Sequence, residues 1–193
     1  QALVPALPAT LQATLRPYQE EGFEWIMRLA HAGLGACLAD DMGLGKTVQA
    51  LAHLLVEQEA GRLDRPSLIV APTSLMGTWQ EQAARFAPSL RVLLLHGAQR
   101  KQSFPAIASH DVVLTSYPLL HRDQELHLGQ PYHLVILDEA QYLKNPETHL
   151  ARVAGKLQAR FRLCLSGTPM ENHLGELWSL MHILMPGLLG NRS

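Results

Sequence analysis

Cysteine is scarce in this sequence of 193 residues, which contains only Cys37 and Cys164. The two are far apart in sequence, and each lies within an apolar run. No Cys-x-x-Cys pair is therefore present that would indicate a zinc knuckle or a redox centre. We predict that both are buried free thiols, as is common in a reducing compartment.

The sequence also lacks a net charge, a long apolar run and a signal peptide. Sixteen Lys and Arg against 17 Asp and Glu, with ten His counted as neutral, give a charge of −1. This balance excludes a globally basic, histone-like protein, although a local patch can still bind nucleic acid. Without a membrane-length run or a signal peptide, the sequence predicts a cytoplasmic protein. Because it starts at Gln1 rather than Met, we expect it to be a fragment of a larger protein.

What the sequence does contain is the composition and pattern of a folded α/β domain. Hydrophobic residues make up 47% and charged residues 17%, which excludes a disordered chain. Short apolar runs alternate with segments of helical periodicity, as in a mostly parallel sheet with helices on both faces. We expect a single domain over residues 1–193. The predicted strands are residues 36–39, 68–71, 91–95, 112–115, 134–137 and 161–165.

Four helices are predicted around these strands. The first begins at Pro17, and the second follows the first strand and ends at Gly61. The other two span residues 74–86 and 174–184. Residues 99–110 have no clear pattern, because Pro105 interrupts them. Ligands of such sheets bind beyond the carboxyl ends of the strands, and polar runs follow five of the predicted strands.

The run DDMGLGKT follows the first strand and opens a helix. Backbone N–H groups of a glycine-bearing turn at a helix start can point at phosphate oxygens. Lys46 would neutralise the β and γ phosphates, and the Thr47 hydroxyl would ligate Mg²⁺. The strict phosphate-loop pattern is not met, because Asp40 replaces its first glycine; a plain glycine-rich turn is the less favoured alternative. The candidate phosphate-binding residues are Asp41, Met42, Gly43, Leu44, Gly45, Lys46 and Thr47.

An acidic pair, Asp138 and Glu139, follows the strand 134–137. The first carboxylate can hold Mg²⁺ through its waters, and the second can polarise an attacking water. Alone, such a pair is usually a solvated turn, but together with Lys46 it favours phosphoryl-transfer chemistry. The hydroxyls in the run SGTPMEN, after the last strand, are suited to sensing a γ-phosphate. Taken alone, that run is better explained as a turn.

Six segments together carry a more specific signal than any of these runs: LRPYQEEGFEWI, LADDMGLGKTVQ, IVAPTSLMGTWQEQ, VVLTSYPLL, VILDEAQYLKN and LSGTPMENHLGELWSL. They resemble, in order, the helicase motifs of the Swi/Snf-type ATPases of helicase superfamily two. The similarity runs from about Leu15 to Gly190 and is closest to bacterial, RapA/HepA-like members. It implies the first of two RecA-like P-loop lobes of an ATP-driven motor. Such motors track along double-stranded DNA and remodel protein–DNA complexes, here in the bacterial cytoplasm or on the nucleoid.

The resemblance also implies roles for individual residues, with ATP and Mg²⁺ as the ligands. Gln19 would read the adenine, supported by Arg16 and Tyr18. Gly43, Gly45, Lys46 and Thr47 would form the phosphate loop. Asp138 would position Mg²⁺ and Glu139 would act as the catalytic base. Gln141 would link that site to Ser166, Gly167 and Thr168, whose strand in RecA-like lobes lies between the other two catalytic strands.

DNA contacts in this family come from loops after the other strands. The corresponding residues are Pro72, Thr73, Ser74, Thr115 and Ser116, with Lys144 and Asn145 as weaker candidates. Contacts to phosphates would make binding independent of base sequence and sensitive to salt. For each residue the alternative is an ordinary loop or cap, and Ser74 in particular is suited to be an N-cap. We predict that Trp79 is core or support rather than a stacking platform.

The sequence departs from the usual pattern of this family in three respects. Gln141 stands where many relatives have His, and Thr78 where Asn is frequent. A second RecA-like lobe, which supplies arginines to the reaction, is absent, so we expect this chain alone to be a very poor ATPase. Two other functions remain open: a strand-separating helicase lobe, and a nucleotide- or partner-binding module without turnover.

Overall fold

The structure, a computed structural model, describes residues 6–31, 36–39, 45–143 and 148–167. Its six strands are β1 (Ala36–Ala39), β2 (Ser67–Ala71), β3 (Val92–Leu94), β4 (Val112–Ser116), β5 (Tyr132–Leu137) and β6 (Ala159–Ser166). They form one sheet in the order β1-β6-β5-β2-β4-β3, and every neighbouring pair is parallel. Every residue of β2, β4 and β5 is buried, because helices cover both faces of the sheet.

The described helices are α1 (Pro17–His31), α2 (Lys46–Glu59), α3 (Met76–Phe86), α4 (Tyr117–Arg122), α5 (Gln124–Gly129) and α6 (His149–Lys156). Three 3₁₀ segments accompany them, Thr73–Leu75, Arg100–Ser109 and Ala140–Leu143. The longer helices α1, α2 and α3 have the amphipathic periodicity from which they were predicted.

Side chains of the strands alternate between two hydrophobic clusters, one on each face of the sheet. In β2, Ile69 packs in the cluster that includes Ile26, Leu51 and Trp79 from α1, α2 and α3. Its neighbours Leu68 and Val70 pack in the opposite cluster, with residues of α4 and α6. The sheet therefore separates two layers of helices, and the predicted fold class is confirmed.

All six predicted strands are present, with bounds that differ by at most two residues at either end. The helix predicted over residues 74–86 begins as the 3₁₀ segment Thr73–Leu75 and becomes α-helical at Met76. Residues 99–110, which had no clear pattern, contain the 3₁₀ segment Arg100–Ser109 with Pro105 inside it. Helices α4, α5 and α6 were not predicted. The helix predicted over residues 174–184 lies outside the described part of the chain.

The register of the sheet brings the chemistry-bearing strand ends together. Ala39 pairs with Ser166, Leu137 pairs with Cys164, and Leu137 also pairs with Val70. The strand β6 lies between β1 and β5, as the resemblance implied. The residues that follow β5 and β6 therefore meet at one edge of the sheet.

The structure bears on the predictions made for the cysteines and for membrane-spanning segments. The side chain of Cys164 is buried, as predicted, whereas the side chain of Cys37 lies outside the described part. Among the described residues, no helix has both the length and the apolar character that a membrane span requires.

Candidate functional site

Gly45, the residue before α2, has a left-handed backbone with a φ of 94°. A Cβ atom here would be strained and would also collide with the side-chain amide nitrogen of Gln19. The side-chain oxygen Oε1 of Gln19 accepts a hydrogen bond of 2.8 Å from the backbone N–H of Arg16. The start of α1, which holds the predicted adenine residues Tyr18 and Gln19, therefore lies against Gly45. The neighbouring Tyr18 is 39% exposed.

Lys46 is the first residue of α2 and is only 4% exposed. Its Nζ lies 3.5 Å from Oε1 of Glu139, across 93 residues of sequence. A buried ammonium group is costly unless it is paired, and this carboxylate supplies the pairing. The two central residues of the predicted reaction site are thus in contact. Asp41, Met42, Gly43 and Leu44 lie outside the described residues.

Asp138 follows β5 and is held by hydrogen bonds to both carboxylate oxygens. The indole N–H of Trp79 donates to Oδ2 at 2.8 Å, and the backbone N–H of Glu139 donates to Oδ1 at 2.9 Å. The Tyr117 hydroxyl donates to the main-chain carbonyl of Asp138 at 2.6 Å. Burial raises the pKa of Asp138, although the Trp79 hydrogen bond and the charge of Lys46 oppose that rise.

Glu139 combines an unusual backbone with a well-defined carboxylate. Its φ is 48°, the one positive value among the described residues other than glycine. Burial alone would raise the pKa of Glu139, but the hydrogen bond from Gln141 and the charge of Lys46 outweigh it and lower that pKa. The side chain is therefore a carboxylate at neutral pH, which is the protonation state that a general base needs.

Gln141 bridges Glu139 and the end of β6. Its Nε2 donates to Oε2 of Glu139 at 2.5 Å, and its Oε1 accepts a hydrogen bond of 3.1 Å from the Ser166 hydroxyl. A Cβ at Gly167 would come within 3.3 Å of both carboxylate oxygens of Glu139 and within 3.4 Å of Lys46 Nζ. The contacts that join Glu139 through Gln141 to Ser166 are therefore present. The role of Gln141 in coupling stays a prediction. Thr168 lies outside the described residues.

The residues present fit a magnesium-bound nucleotide. Gly167 has no side chain to fill the space beside the Lys46–Glu139 pair, and Asp138 offers a fixed carboxylate at the same strand edge. Thr47, half-buried, is the second residue of α2. The described part of the chain holds no group of three or more His, Cys, Asp or Glu that forms a metal cage. Mg²⁺ is usually held through one or two carboxylates together with substrate phosphates, and Asp138 is a carboxylate of that kind.

The predicted DNA-binding residues fall into two structural groups. Thr73 and Ser74 are exposed, and Pro72 is half-buried. Ser74 is not the N-cap of α3, because that position is Leu75 and no side chain caps the helix. Thr115 and Ser116 are buried, and Ser116 Oγ caps α4 by accepting a hydrogen bond from the backbone N–H of Leu119 at 3.3 Å. Their hydroxyls are therefore not displayed at the surface. Lys144 and Asn145 lie outside the described residues.

The prediction for Trp79 is confirmed in part and extended by the structure. The side chain is buried, as expected of a core or supporting residue. Its hydrogen bond to Asp138 was not predicted, and the only signal for it is that a buried indole N–H normally finds an acceptor. The contact from Tyr117 was also missed, because Tyr117 lies in a short helix that was itself unpredicted.

Comparisons with known proteins identify relatives of this chain. YwqA of Bacillus subtilis, named as an ATP-dependent helicase/translocase, is 46% identical over 185 residues, which cover 94% of this chain and 20% of the relative. The TATA-binding protein-associated factor MOT1 of Saccharomyces cerevisiae is 36% identical over 197 residues, which cover 95% of this chain and 11% of the relative. The chain thus spans one fifth or less of these two curated relatives.

Solved structures and a family model give the same result. The SWI2/SNF2 ATPase core of Sulfolobus solfataricus in complex with double-stranded DNA matches with a TM-score of 0.87 and 39% identity, over 95% of this chain and 38% of that chain. A second structure of that core domain matches with a TM-score of 0.84. The model of the SNF2-related domain matches residues 18–193. The chain therefore belongs to the SNF2-related domain family.

Proposed function

We propose that this chain is the nucleotide-binding lobe of an ATP-driven motor that moves along double-stranded DNA. The observation that carries the proposal is the contact between Lys46 and Glu139 at the strand edge where Asp138 is also fixed. A cation for phosphate oxygens, a carboxylate for Mg²⁺ and a second carboxylate for water are what phosphoryl transfer requires. The ATP-dependent relatives and the DNA-bound ATPase core support the same function.

In this proposal each described residue has a specific task. Lys46 binds the β and γ phosphates, and Gln19, beside Gly45, contacts the adenine. Thr47 and Asp138 hold Mg²⁺, which neutralises charge on the phosphate oxygens when it is bound. Glu139 accepts a proton from the attacking water, because its carboxylate is ionised at neutral pH.

The ion pair between Lys46 and Glu139 has a consequence for binding. Phosphate oxygens would compete with the Glu139 carboxylate for the Lys46 ammonium, since both are acceptors of the same donor. Nucleotide binding would then free Oε1 of Glu139 for the water, while Oε2 keeps its hydrogen bond from Gln141. The link from Gln141 to Ser166 would report that change to the end of β6.

Double-stranded DNA is the proposed track, contacted through backbone phosphates. Thr73 and Ser74 expose hydroxyls before α3, and hydroxyls are common donors to phosphate oxygens. Binding of this kind is independent of base sequence and weakens steeply with salt. Because the chain covers a minor part of its relatives, we propose that a second RecA-like lobe in the full-length protein completes the track. We propose the bacterial cytoplasm as the motor's place of action, because the sequence predicts a cytoplasmic protein and YwqA, a relative 46% identical to this chain, is bacterial.

Replacement of Lys46 by Ala tests the nucleotide site directly. We expect the affinity of the chain for Mg²⁺–ATP to fall by roughly 10- to 100-fold, because a charge-assisted contact to phosphate is lost. Titration calorimetry measures this affinity. Replacement of the exposed Lys101 by Ala removes the same charge elsewhere and should leave the affinity unchanged. Equal affinities of the Lys46→Ala variant and the unmodified chain would contradict the proposal.

Two assays on the full-length protein separate the motor from the alternatives. A translocase displaces the third strand of a triplex but does not unwind a duplex with a single-stranded tail. A strand-separating helicase unwinds that duplex, and a binding module does neither. We expect triplex displacement without unwinding, and any other pair of results would overturn the assignment.

A further inference from the structure

A tryptophan from another element reaches the proposed magnesium carboxylate. Trp79 lies on α3, 59 residues before Asp138, and is 2% exposed. Its Nε1 lies 2.8 Å from Oδ2 of Asp138, and this hydrogen bond is itself buried. An indole has a single N–H donor and no acceptor, so this bond uses its whole hydrogen-bonding capacity.

The hydrogen bond fixes a carboxylate that would otherwise rotate. One oxygen of Asp138 is bound by the indole, and the other is bound by the backbone N–H of Glu139 at 2.9 Å. With one immobile donor on each oxygen, rotation about the bond to the carboxylate would break both contacts. Each carboxylate oxygen still has a lone pair available for a metal-bound water.

The position of the indole is also fixed, because the rest of the ring packs in the core. Trp79 belongs to the hydrophobic cluster on one face of the sheet, with Met76 and Ala83 from its own helix and Ile69 and Ala71 from β2. The side chain therefore has little freedom to move its N–H away from Asp138. A donor held so rigidly determines the orientation of its acceptor.

We propose that Trp79 is a positioning residue that orients the Asp138 carboxylate for Mg²⁺. This inference rests on the proposed function, since it requires Asp138 to hold the metal. It goes beyond that function by giving a defined task to an indole N–H that lies outside the phosphate turn and the acidic pair. Groups that orient metal-holding side chains typically change metal affinity by 10- to 100-fold when they are removed.

Two replacements at position 79 isolate the N–H from the bulk of the ring. Trp79→Phe removes the donor together with part of the ring. Incorporation of 3-benzothienylalanine at position 79 keeps the bicyclic shape and replaces the N–H by sulfur. The second variant therefore tests the hydrogen bond even where the first is poorly folded.

The probe is Mn²⁺, a paramagnetic substitute for Mg²⁺, added to the 193-residue chain in the presence of saturating ADP. Electron paramagnetic resonance reports the free Mn²⁺ and hence its affinity. We expect both variants to bind Mn²⁺ about 10- to 100-fold more weakly than the unmodified chain. Their affinity for ADP in the presence of a chelator should stay within about two-fold, because the metal is then absent. A merely structural role would lower both affinities.

Tyr117→Phe is the matched control, because it removes a buried hydrogen bond to the main chain of Asp138 and none to its carboxylate. We expect its Mn²⁺ affinity to equal that of the unmodified chain, even where thermal unfolding shows lower stability. Normal Mn²⁺ affinity of the benzothienyl variant, or an equal loss in Tyr117→Phe, would overturn the proposal. If the unmodified chain binds neither ADP nor Mn²⁺ with ADP, the nucleotide site itself is wrong, and the inference about Trp79 is wrong with it.

Discussion

Glu139 combines an uncommon backbone conformation with a side chain that contacts two other residues of the proposed site. Its backbone has a φ of 48°, which residues other than Gly, Asn and Asp rarely adopt. Its side chain contacts Lys46 and Gln141, which come from α2 and from the turn after β5. The conformation is typical of functional sites, where local strain is maintained by surrounding contacts. We infer that the backbone is kept strained because it directs the carboxylate into the site.

A pair of substitutions separates the backbone of Glu139 from its carboxylate. Glu139→Ala and Glu139→Gly both remove the carboxylate, but only glycine adopts a positive φ without strain. We therefore expect the Gly variant to be more stable than the Ala variant by roughly 0.5–1 kcal/mol, after the extra chain entropy of glycine is subtracted. Urea denaturation measures both. An Ala variant as stable as the Gly variant would contradict the proposed strain.

At the scale of elements, α2 joins the nucleotide site to a buried polar cluster. Lys46 begins the helix, His53 lies about two turns after it, and Glu57 lies one turn further, near the end of the helix. Nε2 of His53 is 3.6 Å from Oε1 of Glu57, and Nε2 of His133 is 3.5 Å from Oε2. Burial lowers the pKa of His53 to about 4, although the charge of Glu57 opposes that shift. The imidazole is therefore neutral in the folded chain at pH 7.

This cluster makes the stability of the chain dependent on pH. The folded-state pKa of His53 lies below its ordinary value of 6.5, so the unfolded chain binds the proton more readily. Stability is consequently lost as the pH falls from about 6.5 toward 4. The loss attributable to His53 reaches up to about 3 kcal/mol. Burial alone would raise the pKa of Glu57, but hydrogen bonds from His133 and Arg62 lower it to about 2, so its own contribution is lost only at lower pH.

Urea denaturation between pH 7 and pH 4.5 tests the prediction for His53. We expect His53→Gln, which does not titrate, to give a distinctly shallower dependence of the unfolding free energy on pH. Replacement of the exposed His96 by Gln controls for the loss of a histidine and should keep the steep dependence. Equal slopes for His53→Gln and the unmodified chain would show that His53 is not the titrating group.

The predictability of each element depended on its length and pattern. The strands β2, β4 and β5 were predictable because strands buried on both faces are continuous apolar runs. The helices α4 and α5 were missed because six residues are too few to establish a helical period. That Lys46 and Glu139 share one site was predictable, because both follow the carboxyl ends of predicted parallel strands, but the ion pair between them was not predicted. The hydrogen bond from Trp79 to Asp138 depends on how α3 packs, which no local pattern specifies.

At the scale of the whole molecule, one sheet edge collects the ends of β5 and β6 and the start of α2. Lys46, Asp138 and Glu139, the groups that we propose for binding and hydrolysing the nucleotide, thereby lie close together. They supply no arginine to the contacts around Glu139, which involve Lys46 and Gln141. In related phosphoryl-transfer systems, an added arginine increases the rate by 10³- to 10⁵-fold. The proposed second lobe would provide it.

Because the proposed site is shared between this chain and a second lobe, we can predict the activity of the chain by itself. We expect the 193-residue chain to hydrolyse ATP at least about 10³-fold more slowly than the full-length protein with DNA. Double-stranded DNA should stimulate the chain little, because half of the proposed track is missing. Phosphate release with and without DNA measures both quantities. Strong stimulation of the chain alone would show that a single lobe suffices.

The most direct measurement is the rate of ATP hydrolysis by the full-length protein carrying Glu139→Gln, at saturating double-stranded DNA. Glutamine keeps the size of the side chain but cannot accept the proton from water. We predict a kcat lower by roughly 10²- to 10⁴-fold, with ATP affinity within a few-fold of that of the unmodified protein. Hydrolysis at the unmodified rate would contradict the assignment of Glu139 as the base, and with it the proposed site at this edge of the sheet.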